Sequence, residues 1–123
     1  MVSELIKGRR LRPLRFTSLS SVPEKMRMLA IEEGEMLLEE PMDELPLSLY
    51  RAFARTGSRA VYETPYFRKR RRLSHLVIAE LLEGNGRFMD RIEDEIWSLI
   101  SDPSWAIPAH NVYIRDTQQL PVP

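Results

Sequence analysis

The chain has 123 residues, 43% of them hydrophobic and 29% charged, with 18 basic residues against 18 acidic ones and no cysteine. These values exclude disordered, collagen-like and fibrous classes, and they leave no disulfide framework, thiolate metal site or cysteine nucleophile. No apolar run approaches the roughly 18 residues of a membrane span. The basic residues 1–16 lack the apolar stretch of about 7–15 residues that a signal peptide requires, so a cytoplasmic setting is expected.

The zero net charge conceals alternating blocks. Residues 1–27 carry seven bases against Glu4 and Glu24, and residues 28–50 carry seven acids and no base. Residues 51–75 carry eight bases against Glu63, including the run Arg68-Lys69-Arg70-Arg71-Arg72. Residues 76–102 carry seven acids against Arg87 and Arg91. Such alternation suits elements that pack side by side and neutralise one another, whereas a nucleic-acid binder more often shows a net positive excess. Nucleic acid is therefore the least favoured partner. The Arg68–Arg72 run is expected to be a solvated or ion-paired helix face, with an anion-facing surface as the alternative.

In chain order, residues 1–20 form a basic arm without helical periodicity. Ser21-Val22-Pro23-Glu24 has the form of a capping box, with Pro23 in the first turn where its missing N–H costs nothing. Apolar residues at helical spacing then predict a first helix over about 22–40, which Pro41 stops. A second helix is expected over 47–56, ending at Gly57. A third should begin near Pro65 and end before Gly84, with Leu73, Leu76, Val77 and Leu81 along one face. After the Asn85-Gly86 turn, a fourth is expected over 87–101, stopped by Pro103. Residues 103–123 read as a loop rich in Trp, Pro, His and Asn, followed by a tail. Only Val112–Ile114 hints at strand alternation, so the fold class is all-α, built from antiparallel helical hairpins. The apolar stripes are wide for four helices, which suggests further neighbours: more chain or another copy.

Several residues invite a chemical reading. His110 and Asn111 could line a ligand cleft or could satisfy backbone groups after a helix end. Trp105 could stack on a sugar or plug the end of a hairpin. Tyr62, Tyr66 and Arg70–Arg72 could face an acidic group, although ion pairing of the arginines with Glu32–Glu40 or Glu93–Glu95 is the stronger expectation. Trp97 is expected in the core, His75 as a partly buried structural residue, and Glu32-Glu33-Glu35 and Glu93-Asp94-Glu95 on solvated faces. There is no phosphate loop, no metal-ligand motif and no cofactor signature, and two histidines 35 positions apart make no metal site.

Taken together, Val22-Pro23-Glu24-Lys25, Leu49-Tyr50, Phe53–Gly57, Tyr62-Glu63, Tyr66-Phe67, Arg70–Leu73, Ala79-Glu80, Glu83-Gly84, Gly86–Phe88, Ile96-Trp97 and Trp105–Asn111 resemble, in order, the N-terminal helical region of the heparinase II/III-like proteins. The most specific part is Trp-x-x-Pro-x-His-Asn at Trp105–Asn111. The resemblance implies a partial (α/α) toroid belonging to a polysaccharide lyase. Such an enzyme performs β-elimination on uronate-containing polymers, neutralising the carboxylate and supplying a base and an acid. His110, Asn111, Trp105, Tyr66, Arg70 and Arg71 are the substrate-binding candidates it implies. Most of the expected catalytic set is missing, so the chain is expected to be inactive alone. An acidic oligosaccharide, a C-terminal portion or a second copy would then be its partner. The alternative is a non-catalytic helical interaction or self-assembly module.

Overall fold

The structure, a computed structural model, describes residues 19–102 and 104–110. The arm up to residue 18, Pro103, Asn111 and the Val112–Ile114 stretch lie outside the described residues. Four helices carry the fold: α1 (Glu24–Glu39), α2 (Leu47–Thr56), α3 (Ala60–Glu83) and α4 (Met89–Ile100). Short 3-10 turns at Leu19–Ser21 and Pro108–His110 flank them, and no strand occurs among the described residues. The chain is all-α.

α3 is the axis of the molecule. Contacts from α1 run antiparallel along it, from Arg27 at Leu82 to Glu40 at Arg72. Those from α4 also run antiparallel, from Phe88 at Glu80 to Ser98 at Lys69. α2 sits against its N-terminal half, where the Tyr50 and Tyr62 rings meet edge to face at 5.4 Å.

Helix ends follow local chemistry. α2 spans the expected residues and closes on Gly57, which takes φ 73°, a left-handed conformation open to glycine. α1 departs from the capping-box expectation: Pro23 is its N-cap, with no side-chain cap hydrogen bond. The Glu24 carboxylate lies 3.7 Å from Arg27 instead. α3 begins five residues before Pro65 and carries that proline inside. An interior proline removes one helical hydrogen bond. Burial of Tyr62 and Tyr66 and the Arg59–Glu63 pair at 2.8 Å hold the extra turn in place. The start of α4 is satisfied from outside, because the Glu80 carboxylate accepts from the Gly86 N–H at 2.7 Å and the Phe88 N–H at 3.2 Å.

Two apolar clusters form the core. Leu37, Leu76, Ala79, Phe88 and Ile92 join α1, α3 and α4. Leu45, Tyr62 and Tyr66 join the α1–α2 connector, α3 and the 104–110 loop. The buried positions of α3 (Tyr62, Tyr66, Lys69, Arg72, Leu76 and Ala79) recur every three or four residues, the spacing of a helix held on one long seam. The two in the middle are charged.

Candidate functional site

Between the apolar clusters lies a buried ionic belt. Arg72, 4% exposed, donates from Nε to Glu95 at 3.1 Å and from Nη1 to the Glu40 carboxylate at 2.8 Å. Its Nη2 reaches the backbone carbonyls of Leu37 and Glu40, both at 3.3 Å. A single guanidinium thus ties the end of α1 and the middle of α4 to α3. One helical turn away, Lys69 donates to Asp102 at 2.6 Å and to the Ser98 carbonyl at 3.3 Å, with both charged side chains buried. Glu95 Oε2 and Asp102 Oδ2 are buried without a hydrogen-bond partner.

This belt resolves the basic run. Arg68 pairs with Asp43, Lys69 with Asp102, and Arg72 with Glu40 and Glu95. The ion-paired reading is correct for these three, but Lys69 and Arg72 belong to the core, not to a solvated face. Glu95 is likewise corrected, because it is fully buried. Its charge is needed opposite Arg72, and the helix rotation that brings it inward turns Trp97 out. Trp97 is 71% exposed and is not a core residue. His75 is half-buried, with Nδ1 2.6 Å from Glu33, as expected of a structural histidine.

The 104–110 loop returns to the N-terminal half of α3. The Tyr66 hydroxyl donates to the Trp105 carbonyl at 2.8 Å, and the Trp105 indole N–H donates to the Leu99 carbonyl at 2.9 Å. The Tyr62 hydroxyl is within 3.4 Å of the Ser104 carbonyl. The Arg70 guanidinium lies 3.4 Å above the Tyr66 ring and donates to the Tyr66 carbonyl, a cation–π arrangement. His110 is exposed, with Nε2 3.3 Å from Arg59 Nη2. The structure therefore gathers His110, Trp105, Tyr66 and Arg70 at one end of α3, with Arg59 and Tyr62 beside them.

Gathering is not the same as readiness. The Tyr66 hydroxyl is buried and committed to the loop backbone, so Trp105, His110 and Arg59 are the members that face solvent. Arg71 is exposed on the opposite side of α3 from the buried seam. Asn111 lies outside the described residues. Arg59 was missed in the sequence; its i, i+4 spacing to Glu63 was the available cue, pointing to an earlier helix start. No group of three or more His, Cys, Asp and Glu side chains is placed to hold a metal ion among the described residues.

Burial holds the Tyr62 hydroxyl above its ordinary value of 10.0, and the neighbouring Asp102 carboxylate adds to this. A raised phenol keeps its proton in the folded protein after the unfolded chain has lost it. Its stabilising contribution is present below pH 10 and is lost as pH rises through the folded value. Ultraviolet titration is expected to show a late-ionising component, and Tyr62→Phe should remove it.

Away from the loop, apolar surface is open. Met89, Ile96, Trp97 and Ile100 on α4 are all exposed, as are Phe67, Ile78 and Leu81 on α3. A groove of about 280 Å³ runs between Val22, Met26 and Ala30 on one side and Ile78, Leu81 and Leu82 on the other. No helix among the described residues is long and apolar enough to cross a membrane. No known protein-family model matches the chain, and no curated protein matches it.

Proposed function

We propose that this protein is a non-catalytic helical interaction module that assembles with copies of itself through its outward helix faces. The observation that carries this reading is the outer stripe of α4, where Ile96, Trp97 and Ile100 are 44%, 71% and 56% exposed. Contiguous exposed apolar surface of this kind marks an interaction face. Trp is also enriched among the residues that dominate binding energy. The polar machinery, by contrast, is spent on structure: each charge of the buried belt is held by another helix. The test is mass by light scattering across a concentration series. Wild-type mass is expected to rise with concentration, and Ile100→Asp should hold it at the monomer value of 14.4 kDa without loss of helical circular dichroism. A strict wild-type monomer would refute the reading.

A second reading has its own support. Exposed Trp105 and His110 on the loop, with Arg59 at the start of α3, place an aromatic face and two nitrogen-bearing groups at one end of the molecule, a set suited to an acidic sugar. On that reading the chain is a helical portion of a heparinase II/III-like lyase and binds uronate oligosaccharides without cleaving them. Calorimetric titration with heparan-type and alginate-type oligosaccharides tests it, and flat titrations with both would remove it.

A further inference from the structure

The outward stripes of α3 and α4 share one register. Along α3, Phe67, Arg71, Ser74 and Ile78 fall at i, i+4, i+7 and i+11; along α4, Met89, Glu93, Ile96 and Ile100 fall at the same spacings. All eight are exposed. Each stripe spans about 17 Å at 1.5 Å per residue. The second position is an arginine in one and a glutamate in the other, and neither makes an ion pair among the described residues.

Resting on the self-assembly reading above, we infer that the partner surface for α4 of one copy is the outer face of α3 of the next, with the two helices parallel. In that alignment Phe67 meets Met89, Arg71 meets Glu93, Ile78 meets Ile100, and the small Ser74 leaves room for Ile96. Ser74 is suited to this because its hydroxyl already donates to the Arg70 carbonyl at 3.0 Å in its own helix. The antiparallel alignment sets Arg71 against Ile96 and Glu93 against Ser74, which separates the charges.

Charge also argues against a two-fold contact. A pairing of α4 stripes sets Glu93 against a face whose one charge is again an acid, and a pairing of α3 stripes sets Arg71 against a face whose one charge is again a base, so neither offers an opposite charge. Like charges facing each other across an interface oppose binding. The contact is therefore heterologous, with different faces meeting. Repetition of such a contact gives a head-to-tail array unless its rotation closes a ring.

Charge reversal tests the pairing, because both residues are exposed and their replacement leaves the core intact. Arg71→Glu alone and Glu93→Arg alone should each bring the weight-average mass down to 14.4 kDa. An equimolar mixture of the two variants should regain the concentration-dependent mass, since each supplies a charge complementary to the other's altered face. The double variant should regain it too. Assembly that survives both single reversals yet is lost in Ile100→Asp would overturn the α3–α4 pairing and leave self-assembly standing. A wild-type chain that stays monomeric would overturn both.

Discussion

Arg72→Met is expected to destabilise the protein by about 3–5 kcal/mol, the cost of leaving a buried partner uncompensated. Arg72 and Glu95 are 4% and 0% exposed, so neither is screened by solvent. Removal of the guanidinium leaves Glu95 with Arg91 as its remaining cation, at 3.3 Å. It also strips the Leu37 carbonyl of the Arg72 donor at the end of α1. Urea denaturation measures the effect; with a slope near 2 kcal/mol/M, the midpoint falls by about 2 M. Arg72→Met combined with Glu95→Leu should recover much of the loss, because well-packed apolar pairs often replace buried ion pairs without penalty. A single variant as stable as wild type would show that the belt is not buried as described.

Phe88→Ala is the second large effect, about 3–5 kcal/mol for a fully buried ring. Phe88 has no exposed surface and closes the cluster of Leu37, Leu76, Ala79 and Ile92. The ring fits there because residue 34 of α1 has no side chain. A Cβ at Gly34 would meet the Ala79 Cβ at 2.5 Å and the Phe88 ring at 3.0 Å. Truncation empties the point where α1, α3 and α4 converge, and the surrounding backbone cannot collapse far enough to refill it. The melting temperature should fall by more than about 10 °C. A change of a degree or two would place Phe88 outside the core.

The helices were legible from the sequence because turn chemistry marks them strongly: Pro41, Gly57, Gly84 and Pro103 each fall one to three residues past the end of a helix. The start of α3 was not, because Pro65 reads locally as a first-turn residue. The tyrosines that hold the preceding turn act through tertiary contacts that no local pattern displays. Lys69 and Arg72 were misread for a related reason. Charge pointed them outward, while their three- and four-residue spacing from Tyr66, Leu76 and Ala79 put them on the seam. Gly34 in the middle of α1 was a readable sign of close helix approach. Trp97 could not be placed without knowing that Glu95 takes the inward position.

The candidate site was legible in part. The Trp105–His110 segment does fold back onto the helices and meets Tyr66, on whose ring Arg70 is stacked. What no sequence pattern could show is that the Tyr66 hydroxyl is already engaged by the loop backbone. Among the described residues gathered there, Trp105, His110 and Arg59 are the ones that face solvent.

The outer stripe of α4 can be watched directly, because Trp97 and Trp105 are the only tryptophans in the chain. In a Trp105→Phe variant all tryptophan emission comes from Trp97, whose side chain is open to water in the single copy. Self-assembly through α4 predicts that the emission maximum moves to shorter wavelength as protein concentration rises, in step with the mass measured on the same samples. An emission maximum that stays at the solvent-exposed position across the whole series would contradict the account.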